Sequence, residues 1–182
     1  MNMNSISRLA ATQDLVLSLP TSDRNVSWAS SLAVRRVMQG NKSRDTKPEL
    51  ALRRALHAMG LRYRVASRPF PSIRRTADIV FRKAKVAVFM DGCFWHGCPE
   101  HHRHPKLNSS YWKEKVRLNI ARDEHTSALL RGAGWIVLRF WSHADIDAAA
   151  RQTARVAGAQ RRRARRLEFK SKKRSVRVSK SI

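Results

Sequence analysis

Two periods organise the apolar positions of this chain, and the places where one gives way to the other mark its elements. Thr46-Lys47-Pro48-Glu49 opens a helix: Thr46 can cap, Pro48 lies in the first turn where its missing N–H costs nothing, and Glu49 stands at the capping-box position. Leu52, Ala55, Leu56 and Met59 follow at helical spacing until Gly60 stops the run. Residues 76–81 and 85–90 read as two short strands joined by a tight basic turn around Arg82-Lys83. The second, Val86-Ala87-Val88-Phe89-Met90, is apolar throughout, as a central strand covered on both faces must be. Residues 92–110 are irregular and rich in His, Pro and Gly. A long helix is expected over 111–131, with Trp112, Val116, Ile120 and Leu130 near one face and Gly132 or Gly134 ending it. A third strand over 135–141 and a short Ala-rich helix over 145–156 complete a small α/β sandwich.

Composition narrows what such a fold meets. The 182 residues carry 38 Lys and Arg against 13 Asp and Glu, a formal charge of +25. That balance points to a polyanion, with nucleic acid the first candidate. The charge is uneven: residues 161–182 hold eleven basic side chains against Glu168, a net +10, leaving +15 for residues 1–160. With few apolar anchors, residues 158–182 are expected to be a disordered basic tail. Residues 1–29 lack sustained periodicity and read as a flexible extension, so the ordered domain is assigned to 30–157. At 42% hydrophobic, the chain can bury a core. No apolar run approaches the ~20 residues that cross a bilayer, and no secretory pattern opens the chain, so an intracellular protein without a membrane partner is expected.

Three clusters carry candidate chemistry. Cys93, Cys98 and His101 fall within nine residues, and His143 follows the third strand. Two thiolates and two imidazoles suit tetrahedral zinc, and such a site would staple the irregular loop to the sheet. His102 and His104 compete with His101 as third ligand, and reduced core cysteines beside surface histidines is the alternative. Asp78 interrupts the apolar strand Ala77-Asp78-Ile79-Val80-Phe81, where an ionised carboxylate is costly unless paired or bound to a cation. If the two strands pair, the second delivers Asp91-Gly92-Cys93-Phe94-Trp95-His96 beside it. A carboxylate-held Mg²⁺ with His96 as base suits attack on a phosphodiester; an exposed edge Asp beside an Arg is the plainer reading. Phe94 and Trp95, between Gly92 and Gly97, are either the lid of a core or wedges that enter a base stack. Tyr111 and Trp112 stand similarly at the start of the long helix, where Trp112 also fits a core position.

These residues, taken together, resemble a known family. Thr46-Lys47-Pro48-Glu49 with Leu52-Arg53-Arg54-Ala55-Leu56, Gly60-Leu61-Arg62-Tyr63-Arg64, Asp78-Ile79-Val80-Phe81, Met90-Asp91-Gly92-Cys93-Phe94-Trp95-His96-Gly97-Cys98-Pro99, Tyr111-Trp112, Lys115, Asn119, Arg122-Asp123 and Gly134-Trp135-Ile136-Val137 are similar to the very-short-patch-repair (Vsr) mismatch endonucleases. The resemblance covers about residues 30–145. It implies a restriction-endonuclease-like fold, a central sheet flanked by helices, with a structural zinc site. It also implies nicking of double-stranded DNA 5′ of the thymine in a T·G mismatch left by 5-methylcytosine deamination. On that resemblance Asp78 and the backbone carbonyl of Met90 would hold Mg²⁺, His96 would be the base, and Glu49 would support metal-bound waters. Glu49 is equally explained by its cap. Phe94, Trp95 and Trp112 would intercalate, Lys115 and Asn119 would face DNA, and Cys93, Cys98, His101 and His143 would hold zinc. A monomer handing nicked DNA to downstream repair proteins is implied. Three features depart from wider patterns. Val86-Ala87-Val88 lacks the Glu-x-Lys of general restriction enzymes, Phe70-Pro71-Ser72-Ile73-Arg74-Arg75 replaces a Leu-Pro-Gly, and Trp141-Ser142-His143 keeps a ligand but lacks the family's Glu. The altered 70–75 loop leaves open a nuclease of the same fold with another DNA substrate, and a zinc-stabilised binding module without catalysis is the non-enzymatic alternative.

Overall fold

The structure, a computed structural model, describes Arg36, residues 44–103 and residues 105–179, with side chains described as far as Phe169. The expected extension over 1–29 and the domain start at residue 30 lie outside the described residues, as does His104. In chain order the elements are α1 (Lys47–Ala58), β1 (Arg64–Ser67), β2 (Ala77–Phe81), β3 (Val86–Asp91), α2 (Ser109–Gly132), β4 (Ile136–Trp141) and α3 (Ile146–Ser179). The strands form one mixed sheet in the order β1-β2-β3-β4. β1 and β3 each run antiparallel to β2, whereas β4 runs parallel to β3.

The β2–β3 pair is the centre of the molecule. Phe81 leads into a 3₁₀ turn, Arg82–Ala84, and Lys85 closes it with a left-handed φ of 50°. The chain then returns with Ile79 opposite Val88. Every β3 residue except Met90 is buried, so the unbroken apolar run is explained by cover on both faces. Parallel β4 requires a crossover, which α2 supplies. The Lys85 carbonyl accepts the Ile136 N–H at 2.8 Å, which starts β4 in register with β3.

Two cores flank the sheet. On one side Leu52 and Leu56 of α1 pack with Ile79, Phe81, Val86 and Val88. Ala149, Ala150 and Ala157 join them, small side chains that let α3 approach closely. On the other side Ala87 and Phe89 meet Leu130 of α2, Trp135 and Ile73. The 70–75 loop is thus part of a core: Ile73 is buried and Phe70 stacks on Trp135 with ring centroids 6.5 Å apart.

Four expectations need correction. β1 was not expected; it is a four-residue edge strand, Arg-Val-Ala-Ser, too short to show a period. Ile120 is more than a third exposed, because it lies over Gly97 at the edge of the α2 face rather than within it. Thr46 makes no side-chain cap bond; its hydroxyl instead donates to Glu49 at 2.9 Å. The helix expected to end near residue 156, ahead of a disordered tail, continues to Ser179. Beyond Gly158 the residues are chiefly Arg, Lys, Ala, Leu, Gln and Ser with no Pro, which lets the helix propagate. No helix among the described residues is long and apolar enough to cross a membrane.

The first core sets the stability. Leu52 is fully buried, so Leu52→Ala should cost about 2–5 kcal/mol in urea denaturation. Leu167→Ala, at a position 59% exposed, should stay within about 0.5 kcal/mol. Equal effects would mean that α3 buries Leu167 in solution.

Candidate active site

β3 delivers the chain to a group of charged residues at its C-terminal end. Asp91, the last strand residue, is buried, and Arg139 of β4 grips it with two bonds of 2.7 and 2.6 Å. The same guanidinium reaches Asp123 of α2 at 3.1 Å and lies 4.9 Å from the centroid of the Phe89 ring. Burial opposes charge on Arg139, but the bonds and charges of Asp91 and Asp123 hold its pKa above the ordinary value. His96 completes the group: its Nδ1 is 2.5 Å from Asp123 Oδ2 and 3.9 Å from Asp91 Oδ1. Burial pushes Asp123 up, yet the bond with His96 and the Arg139 charge outweigh it and hold the carboxyl below the usual range. Asp91, His96 and Asp123 have ligand atoms within 4.8 Å of one another. Arg139 already supplies the cation there, so this is an ion-pair network that fixes an imidazole. An open cleft borders it, lined by Asp91, His96, Ile120, Asp123, Arg131 and Arg139.

Asp78 belongs to a neighbouring carboxylate set. Its Oδ2 accepts the Met90 N–H at 2.8 Å, which places it at the end of β3 as strand pairing required. Burial pushes its pKa up to about 6, against that bond, and the charges of Glu49 and Asp91 add to the rise. Glu49 is buried and well supplied: it accepts from the Thr46 hydroxyl, the Asp45 N–H at 3.0 Å and Arg53 at 2.9 Å. Among the described residues no Lys or Arg is ion-paired with Asp78. Asp78 and Glu49 lie outside the Asp91–His96–Asp123 group.

A third group lies one turn further. Cys93, Cys98, His101 and His143 place their ligand atoms within 4.8 Å of one another. Cys93 Sγ is 3.1 Å from His143 Nδ1, and Cys98 Sγ is 3.8 Å from His101 Nδ1 and 3.9 Å from His143 Nδ1. Both cysteines are free. His102 turns away, its Nδ1 3.1 Å from the Phe94 carbonyl, so of the two described candidates His101 joins the group. The outer nitrogen of His143 is 3.5 Å from Glu100. Burial raises the Cys98 pKa, but the His101 and Glu100 backbone N–H groups and the His101 ring bring it below the ordinary thiol value.

Between these groups stands an aromatic cluster. Phe94, Trp95 and Trp112 meet edge to face, with centroids 5.1 Å (Phe94–Trp95), 5.3 Å (Phe94–Trp112) and 5.8 Å (Trp95–Trp112) apart. Trp112 is buried, whereas Phe94 and Trp95 are half-buried. Asn119 donates to the Trp95 carbonyl at 2.9 Å, and Lys115 is half-buried on the same helix. Gly97 turns the loop against α2 with φ 66°; a Cβ there would stand 2.9 Å from Ile120 Cδ1. The sequence reading missed the roles of Asp123 and Arg139. Asp123 pairs with His96 across 27 residues, and its signal in the sequence is its place in the Arg122-Asp123 pair that resembles the family.

The family described as "DNA mismatch endonuclease Vsr" matches residues 32–103. The type II nicking enzyme V.NaeI of Lentzea aerocolonigenes is 48% identical over 116 residues, covering 63% of this chain and 70% of that one. V.NmeDIP of Neisseria meningitidis serogroup C, also a type II nicking enzyme, is 48% identical over 111 residues, 60% of this chain and 73% of its own. The DNA mismatch endonuclease Vsr of Escherichia coli K12 is 32% identical over 108 residues, 57% of this chain and 65% of its own. With Asp78, the Gly92–His96 turn, Cys98 and His101 all inside the matched residues 32–103, this chain belongs to the Vsr family of DNA endonucleases.

Proposed function

We propose that this chain is a Mg²⁺-dependent endonuclease on a restriction-endonuclease-like fold. It nicks duplex DNA 5′ of the thymine in T·G mismatches arising from 5-methylcytosine deamination. One observation carries the reading. Of the buried or half-buried carboxylates at this end of the sheet, Glu49, Asp91 and Asp123 each have a guanidinium partner. Asp78 has none among the described residues and holds its proton to about pH 6. A buried carboxylate without a cation is the place for an added one. Asp78 and the Met90 carbonyl would hold magnesium, with Glu49 facing its waters; the ion supplies charge neutralisation at the scissile phosphate and lowers the pKa of water. His96 performs the proton transfer. Asp123 occupies Nδ1, which orients the ring and leaves Nε2 to take a proton from the attacking water.

The rest of the loop positions DNA. Phe94 and Trp95 form the wedge beside the mismatch, with Trp112 supporting or following them, and Lys115 and Asn119 line the α2 side. Cys93, Cys98, His101 and His143 hold zinc. A tetrahedron with Zn–S of about 2.3 Å and Zn–N of about 2.0 Å has edges of roughly 3.3–3.8 Å. The three thiol–imidazole contacts of 3.1, 3.8 and 3.9 Å lie within about 0.4 Å of the roughly 3.5 Å that a sulfur–nitrogen edge requires. The enzyme acts as a monomer where the genome lies, in the cytoplasm, and leaves its nick to repair proteins. Its catalytic domain is residues 30–157.

Labelled T·G, matched and modified duplexes with Mg²⁺ test the reading. A nick at T·G well above that on the matched duplex is expected, and equal or greater cutting of a modified duplex would replace the substrate. Asp78→Ala should abolish nicking with zinc content unchanged; full residual activity would remove Asp78 from the metal site.

The zinc group predicts a separate result. Cys98→Ser should lower metal content measured on the purified protein and reduce the melting temperature, because a ligand of the staple is lost. An unchanged zinc content would refute the ligand assignment.

Asp78 also predicts a pH effect. Its folded pKa lies above its unfolded value, so the stability of its protonated form is full below about pH 4 and lost as pH rises through about 6. In metal-free protein, Asp78→Asn should therefore stabilise at pH 7.5 by roughly 1–3 kcal/mol, and the difference should vanish at pH 4. Destabilisation at pH 7.5 would show that the carboxylate is already neutralised.

A further inference from the structure

The basic half of α3 is unused by the chemistry above. It starts where the active site is and leaves in the other direction. Ile146 follows β4 and His143, at the C-terminal ends of β3 and β4. Ala149, Ala150 and Ala157 then pack down the sheet to Ala84 and Val86 at the beginning of β3. Two independent lengths agree on the span. From Val86 to Asp91 is about 17 Å at strand rise, and from Ile146 to Gly158 is about 18 Å at helix rise. Gly158 therefore reaches the end of the sheet opposite His96. It packs on the Leu52 face, which α1 shares, whereas α2, which carries Asp123 and Trp112, closes the Phe89 core.

At that far corner the structure forms a groove lined by Lys83, Gly158, Arg161, Arg162, Arg165 and Glu168. Lys83 comes from the 3₁₀ turn and the arginines from α3, so two elements aim cations into one concavity. Lys83, Arg161, Arg162 and Arg165 are all exposed. Gly158 bares the helix backbone there, and a Cβ on it would stand 3.5 Å from Arg162 Nη1. A mid-helix glycine costs about 1 kcal/mol against alanine, and the Arg161–Arg165 and Arg162–Arg166 pairs repel at i,i+4. A helix that accepts both penalties and presents arginines on successive turns matches a ladder of phosphates spaced along a duplex.

We infer that this groove and the basic face of α3 form a second DNA-binding surface, which grips the phosphate backbone of a duplex segment other than the one in the active site. It lies at the end of the sheet away from His96. The enzyme can then hold one segment while testing another and pass between them without full release. The inference rests on the family's action on DNA and is independent of the T·G assignment.

The test uses the full chain with Arg161, Arg162, Arg165 and Arg166 all changed to Gln, which keeps helix propensity, and a companion with the same four changed to Lys, which keeps charge. On a matched duplex, the Gln variant should lower the slope of log K against log[salt] by up to about 3–4, near 0.9 for each phosphate no longer neutralised. The Lys variant should retain the slope. The dissociation rate of the parent protein from a labelled duplex should rise with unlabelled duplex concentration, and that of the Gln variant should not. Single-turnover nicking at low salt and saturating protein should match in all three. An unchanged slope in the Gln variant, or dissociation of the parent that ignores competitor, would overturn the inference. So would a defect confined to anionic lipid vesicles, which would assign the helix to a membrane surface. Absence of T·G nicking with the binding results intact would instead overturn the substrate reading alone.

Discussion

Arg139 holds the C-terminal ends of β3 and β4 together. Asp91 closes β3 inside the protein, and a lone carboxylate there would carry a large desolvation penalty. The guanidinium that meets it comes from the neighbouring parallel strand, with Phe89 opposite Arg139 in the register. Its remaining reach goes to Asp123 of α2 and, at 3.4 Å, to the Ser127 hydroxyl. One side chain thereby ties β3, β4 and α2 into a single arrangement. Buried ion pairs of this kind roughly break even in stability, so the gain lies in position: any slip in the β3–β4 register would strand a buried charge. His96 inherits that position through Asp123.

The division of labour among carboxylates follows from the same rule. Three of them are neutralised within the chain and shape the site. The fourth, Asp78, raises the free energy of the folded protein at neutral pH because its desolvation is met by one backbone N–H and opposed by two negative neighbours. The proposed metal at Asp78 would account for a residue that costs stability where it stands. Glu49 illustrates how near the two roles lie: its three donors make it a structural acid, while its charge is among those felt by Asp78.

How much of this was legible in the sequence depended on how local the cause was. β3 could be read because burial on both faces leaves an unbroken apolar run, and Asp78 because it interrupts one. The Cys93–Cys98–His101 spacing could be read because three of the four residues of the Cys/His group sit within nine residues. His101 and His102 could not be separated, since the choice turns on the Phe94 carbonyl, which the fold brings to His102. Asp123 and Arg139 were missed for the same reason: their partners are 27 and 48 residues away, and a charged residue in a basic chain carries no sign of its partner. The reach of α3 is hidden in the sequence because low apolar content also marks disordered tails, whereas its arginines and alanines are themselves strong helix formers.

In the proposed function the aromatic cluster links architecture to specificity. Trp112 is 7% exposed and lies against both Phe94 and Trp95. It cannot enter a base stack without leaving that position, whereas the half-buried rings beside it are already at the surface. Unstacking a base step costs a few kcal/mol, least where pairing is already faulty. A wedge supported from beneath loses little side-chain freedom on insertion, so most of the remaining barrier belongs to the DNA. Under the proposed function, discrimination would then fall on the duplex: a well-paired step would resist the wedge, and a mismatched one would yield. The loop must be stiff for this to work, and the Asn119 bond to the Trp95 carbonyl, the close seat of Gly97 on α2 and the Cys/His group each restrain it.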